Sequence, residues 1–90
     1  MLTPDYTAQF KRDYKLSAKR GLDISLIDAL IGDLADEKPL SEKHRDHPLK
    51  GGYAGCRECH IQPDWLLMYR IAGDKIIFIR TGTHSDIFSI

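Results

Sequence analysis

The hydrophobic period of this chain changes once, at Gly51-Gly52, and that change decides most of what it can fold into. Ahead of the glycines, apolar residues recur every third or fourth position; behind them they come in short dense runs bounded by Gly, Pro or Asp. Helices are therefore expected first and strands second. Tyr6, Phe10 and Tyr14 are spaced by four and line one face of an amphipathic helix from about Thr7 to Arg20. Gly21 suits the left-handed position after its end, and Asp23 or Ser25 can cap a second helix. Ile24, Ile27, Leu30, Ile31 and Leu34 give that helix one apolar stripe, ending near Asp36 because Pro39 denies Lys38 the helical region. The two form a helical hairpin. Leu40 to Gly52 reads as a polar, basic loop, and the residues before Pro4 as a short strand.

Three strands are expected after the glycines: Arg57 to Ile61, Trp65 to Ile71 and Lys75 to Thr83. Ala72-Gly73-Asp74 is the hairpin turn that makes the last two antiparallel neighbours. Trp65, Leu67, Tyr69 and Ile71 alternate with Leu66 and Met68, so both faces of the middle strand need cover. The fold class is α+β: a single domain over residues 1–90, with an N-terminal helical hairpin packed on a small, mainly antiparallel sheet.

Charge narrows the function classes less than its distribution does. The net charge is zero, so binding of nucleic acid by overall charge is not supported. The first helix nonetheless carries Lys11, Arg12, Lys15, Lys19 and Arg20 against Asp13, while Asp23 to Glu37 holds five acids and no base. No apolar run approaches the roughly 18–20 residues that cross a bilayer, and no basic leader precedes an apolar stretch at the N-terminus, so cytoplasmic residence is expected. Cys56 and Cys59 are expected to be free thiols.

Three of the four histidines lie at turns or strand ends. His60 ends one strand and Asp64 begins the next across Pro63; His47 precedes Pro48; His84 follows Thr81-Gly82-Thr83. Imidazole, with an unperturbed pKa of ~6.5, moves protons in both directions near neutrality, so their convergence at one end of the sheet would make a reaction centre. A period of two puts Phe78, Arg80, Gly82 and His84 on one face of the last strand. Arg80 then either pairs with Asp64 or Glu58 or faces a phosphate. Trp65 either stacks on a base or fills the core. A zinc site from Cys56, Cys59, His60 and His47 is disfavoured, because strand positions three apart point to opposite faces. No metal ligand is assigned.

Three blocks carry a resemblance: Asp46-His47-Pro48-Leu49-Lys50-Gly51; Arg57 to Tyr69, with Cys59-His60-Ile61-Gln62-Pro63-Asp64-Trp65 at its centre; and Arg80-Thr81-Gly82-Thr83-His84-Ser85-Asp86-Ile87-Phe88. In this order and spacing the chain resembles the YafQ-type branch of the RelE/ParE toxin superfamily. The resemblance covers about the whole chain. It implies an mRNA interferase that needs no cofactor or metal and cuts mRNA in the ribosomal A site. A small cognate antitoxin would neutralise it, and operator DNA would be bound only through the antitoxin complex. The family's catalytic positions fall on His47, His60, Asp64 and His84. Lys50, Trp65, Arg80 and Phe88 are the expected substrate-binding residues, the aromatics by stacking on splayed bases. The neutral charge, and Cys56 where the family more often has an aromatic, depart from the pattern. A second reading is a catalytically silent module of the same fold that binds an antitoxin in a DNA-bound repressor complex.

Overall fold

Residues 1–88 are described in the computed structural model. The helices start where local capping chemistry says they should. Thr7 accepts the Phe10 N–H at the head of α1 (Ala8–Lys19), and Asp23 accepts the Ser25 N–H at the head of α2 (Ile24–Ala35). Gly21, at φ 82°, makes the left-handed exit after α1 that a side chain would resist.

Five strands form one sheet: β1 (Thr3–Tyr6), β2 (His47–Pro48), β3 (Arg57–Gln62), β4 (Trp65–Ala72) and β5 (Lys75–Gly82), in the order β1-β5-β4-β3-β2. Every junction is antiparallel except that of β1 with β5, which is parallel. β1 runs through Pro4 rather than stopping before it, which an edge strand tolerates because one side of its backbone needs no ladder partner. β2 is a two-residue strand inside the segment expected to be loop. Past Gly82 the chain turns into a short helix, α3 (His84–Phe88), instead of continuing as strand.

The helices cover one face of the sheet. Trp65, Leu67 and Tyr69 of β4 pack there with Cys59, Ile61, Ile76 and Phe78 against Phe10, Ile27, Leu30 and Leu34. The opposite face is smaller: Leu66 and Met68 lie under Ile87 and Phe88 of α3, with Leu49, Cys56 and Ile79 around them. Ile71, expected on the same face as Trp65, Leu67 and Tyr69, is 53% exposed near the hairpin end. Cys59 is fully buried, which pushes its thiol up to about 12, and Cys56 packs on the other face. The two thiols thus lie on opposite faces of the sheet and cannot chelate one ion together.

Register shifts the C-terminal half of β5. Tyr69 pairs with Phe78 but Met68 with Arg80, leaving Ile79 as the extra residue of a bulge. Phe78 and Arg80 consequently fall on opposite faces, contrary to the regular alternation expected from sequence. Arg80 stands in the row Glu58–Met68–Arg80, on the face away from the helices. Its guanidinium pairs with neither Asp64 nor Glu58. It donates to Asp13 of α1 at 2.8 and 3.2 Å, and those bonds hold its pKa above the ordinary value. Asp13 is buried and also accepts the Thr81 N–H at 3.2 Å and the Gln9 amide at 2.9 Å. β1 ends opposite Phe78, so beyond that point the carboxylate takes the place of a neighbouring strand for the Thr81 N–H.

Asp13→Ala removes the acceptor for these donors, and we expect it to lower the unfolding free energy by about 2–4 kcal/mol. Urea denaturation measures this; a loss under about 0.5 kcal/mol would place Asp13 among ordinary surface ion pairs.

Candidate active site

Strand register brings the histidines together. Glu58 and His60 are two apart on β3 and share the face away from the helices, where β2 sets His47 directly opposite Glu58. His60 pairs with Leu66 of β4 and Leu66 with Gly82 of β5, so the end of β5 is in line with His60. Asp64 sits in the turn between β3 and β4.

His84 reaches this row because the chain turns sharply after β5. Thr83 and Asp86 cap α3 reciprocally: the Thr83 N–H donates to Asp86 Oδ2 and the Asp86 N–H to Thr83 Oγ1, each at 3.0 Å. Asp86 also accepts from Arg20 at 2.6 Å, which ties the cap to the end of α1. A Cβ on residue 82 would lie 2.9 Å from the Asp86 Cβ, so the close approach of cap and strand requires Gly82.

The result is a line of three imidazoles, with ring centroids 6.4 Å apart from His47 to His60 and 5.7 Å from His60 to His84. Behind them is Glu58, only 4% exposed, its Oε1 lying 3.4 Å from His60 Nε2 and 3.9 Å from His47 Nε2. This carboxylate is placed to balance the positive charge that a ring acquires on taking up a proton. At the other end Asp64 Oδ1 receives His84 Nδ1 at 2.6 Å and the His84 backbone N–H at 2.9 Å. Those bonds hold the Asp64 carboxyl below its ordinary range, so it is an acceptor, Nδ1 carries the proton, and Nε2 is left for other chemistry. His47 is oriented in the same manner, through Nδ1 on the Arg45 carbonyl at 2.6 Å.

His47, His60, Asp64 and His84 are thus gathered as their turn positions suggested. Glu58 entered the sequence reading only as a possible partner for Arg80, although strand alternation puts it beside His60. His44 was not singled out: its Nδ1 lies 2.7 Å from the His60 carbonyl oxygen, and no local pattern signals that contact. Trp65 must be corrected. It is 2% exposed, with its indole N–H on Thr81 Oγ1 at 3.0 Å, so the ring fills the core and offers no face to a base. Phe88 is half-buried, edge-on to Tyr53 with centroids 5.4 Å apart. Lys50 is exposed just past β2. Arg80 shares the histidine-bearing face but stands two strands from Glu58, about 10 Å by ordinary strand spacing.

Chemically the row can relay, donate and accept protons. One oxygen of Glu58 and one nitrogen each of His60 and His84 lie within 4.8 Å of one another, so these three could also hold a metal ion with a coordination position left open.

Residues 2–89 match the family model described as the bacterial toxin of type II toxin-antitoxin system, YafQ. The chain is 38% identical over 85 residues to the mRNA interferase toxin YafQ of Escherichia coli K12, covering 93% of this chain and 92% of that one. Among solved structures, YafQ in the E. coli DinJ-YafQ complex superposes with a TM-score of 0.91 at 36% identity, covering 98% of this chain and 99% of that one. A metal-bound toxin from Helicobacter pylori gives 0.92 at 43% identity, covering 98% and 100%.

The Arg20 guanidinium and the Thr83 N–H hold the Asp86 carboxyl at about 2, against 3.8 when unpaired. A depressed carboxyl pKa contributes stability that is complete above the unfolded value and is lost as pH falls through the folded one. Asp86→Asn should therefore unfold at lower urea than the wild-type chain at about pH 6, with the gap closing toward about pH 2. A gap that stays constant with pH would show that the charge of Asp86 contributes nothing.

Proposed function

The chain belongs to the YafQ family of bacterial type II toxins, homologous to an mRNA interferase, and from that premise we propose that it cleaves mRNA by proton transfer through its histidine row. The observation that carries this reading is the geometry of His47, His60 and His84 around Glu58, with Asp64 orienting His84. In the proposed reaction one group takes the proton of a ribose 2′-hydroxyl as its oxygen attacks the adjacent phosphorus. The bond from phosphorus to the 5′-oxygen breaks, and a second group returns a proton to that leaving oxygen. A 2′,3′-cyclic phosphate and a 5′-hydroxyl result, with no net change in protons.

Two imidazoles 5.7 Å apart, centroid to centroid, can serve the two sides of one phosphate. Asp64 fixes the His84 ring so that Nε2 points away from the carboxylate, which saves the reaction a reorientation step. Arg80, on the same face, is the cation for the charge developing on the phosphate, and Lys50 and Phe88 are the accessible substrate contacts at the margins. The reaction is ribosome-dependent in this reading, since a short open row of side chains has little means of holding a flexible message unaided. A small antitoxin, the counterpart of the partner in the DinJ-YafQ complex, neutralises the toxin.

His60→Ala and His84→Ala should each reduce cleavage of ribosome-bound message by roughly a hundredfold or more, the usual scale for losing a general acid or base, with the fold retained. Expression of the wild-type chain should arrest growth, and His84→Ala should relieve the arrest. Full cleavage in either variant would overturn the role given to that histidine, whereas a wild-type chain that neither cleaves nor arrests growth would leave the silent-module reading as the better one.

Metal supplies the second test. The nitrogens of His60 and His84 that could ligate an ion are the groups needed for proton transfer, so metal and catalysis compete. Excess EDTA should leave cleavage intact and added Zn²⁺ should slow it. Loss of cleavage on chelation, restored by zinc, would overturn the metal-independent assignment.

A further inference from the structure

A groove of about 890 Å³ opens beside the histidine row, between α2 and the turn Glu42–His44, and both His60 and His84 line it. Its volume falls in the roughly 300–1,000 Å³ range of sites that enclose a small ligand. Leu26, Ala29 and Asp33 of α2 contribute one wall, Lys43, His44 and Arg45 the other, and Gln62 lines it together with His60.

The turn is joined to the candidate catalytic groups through two contacts. His44 Nδ1 reaches the His60 carbonyl at 2.7 Å, and the Arg45 carbonyl receives His47 Nδ1 at 2.6 Å. Arg45 can serve both neighbours because it adopts the left-handed conformation, φ 46° and ψ 47°, which turns the chain tightly after His44. Lys43 and Arg45 therefore flank an anchored residue, and neither has a carboxylate partner among the described residues. Two uncompensated cations on a fixed turn next to a phosphate-cleaving site have one obvious complement, the next phosphate of the same strand.

We infer that this groove is a nucleotide subsite of the mRNA: the nucleotide beside the scissile phosphate lies in it, its flanking phosphate on Lys43 and Arg45. The inference rests on the ribonuclease reading above. Asp33 repels a phosphate from the α2 wall, which sets the polarity of the bound nucleotide: phosphate on the turn, base toward α2. The base rests on the exposed apolar surface of Leu26, and Gln62 and Asp33 offer its edge a donor and acceptors.

The test uses the full chain on programmed ribosomes, with wild type alongside the double variant Lys43→Gln/Arg45→Asn; asparagine keeps the left-handed backbone accessible. The double variant should raise KM about tenfold with little change in kcat, and its KM should depend less steeply on salt. Gln62→Ala should alter the base preference at one position beside the cut. A short single-stranded RNA with 2′-O-methyl riboses, which cannot be cleaved, should shift the backbone resonances of residues 43–45 and 62. Unchanged KM in the double variant, with wild type active, overturns the subsite while leaving the ribonuclease reading intact. A KM rise equal for every message, with no change in base preference in Gln62→Ala and no shifts from the RNA, assigns the cations to the ribosome and also overturns it. If wild type does not cleave, the ribonuclease reading fails, and the RNA titration alone then decides whether the groove binds nucleotides.

Discussion

One buried carboxylate on α1 governs where the C-terminal third of the chain can go. β1 stops at Tyr6, so the outer edge of β5 beyond Phe78 has no neighbouring strand. Asp13 meets it there, taking the Thr81 N–H and the Arg80 guanidinium. Thr81 in turn donates its hydroxyl to the Leu66 carbonyl at 2.7 Å and receives the Trp65 indole, so the helix, β5 and β4 are locked at one point. An unpaired backbone donor at this depth would cost about as much as a lost hydrogen bond, which is why the carboxylate is worth burying. The site follows from that lock. Three residues past Thr81 stands His84, and the cap between Thr83 and Asp86, tethered by Arg20 to the same helix, fixes its direction. α1 thus acts on His84 through the strand it holds and the cap it tethers.

The helices were legible because their information is local. The Thr7 and Asp23 caps, the left-handed exit at Gly21 and the stripe from Ile24 to Leu34 involve residues within a few positions of one another. The three main strands were legible too, since alternation and the turn at Gly73 are equally local. What failed were features set by contacts distant in sequence. The bulge at Ile79, and the partner of Arg80, arise where α1 meets β5, with Asp13 and Arg80 67 positions apart. The turn of His84 into α3 depends on Arg20 and Asp86, 66 positions apart. Parallel pairing of β1 leaves no trace in a four-residue segment interrupted by proline.

The candidate site divides along the same line. His47, His60, Asp64 and His84 declared themselves by standing beside prolines and glycines, where strand ends become accessible. Glu58 carried the opposite signal. An acid inside a strand reads as a solvent-facing residue or a cross-strand partner, and only the pairing of His47 with Glu58 shows that it lies buried between two imidazoles. Trp65 misled for a related reason. Its place next to Asp64 suggested a role at the site, but Asp64 belongs to the turn while Trp65 opens β4, on the face where Leu67 and Tyr69 join it in the helix-covered core.

Zero net charge and RNA as a substrate are compatible once the acids are followed individually. Asp13, Asp46 and Asp86 are bound to arginines, Asp64 to His84, Asp28 to the Tyr14 hydroxyl and Asp23 to the backbone of its own helix. Lys11, Lys15, Lys19, Lys43, Arg45 and Lys50 have no carboxylate partner among the described residues. At an ionic strength near 0.15 M the screening length is about 8 Å, so a phosphate responds to the charges beside it rather than to the sum over the molecule. Neutrality is then a property of the whole chain that the site does not share. Asp13, Asp46 and Asp86, neutralised in place by arginines, contribute little field at the groove, where Asp33 on the α2 wall faces the unpaired cations of the turn. A basic composition is one way to hold RNA, and keeping unpaired cations beside the site while arginines elsewhere are tied to carboxylates is another.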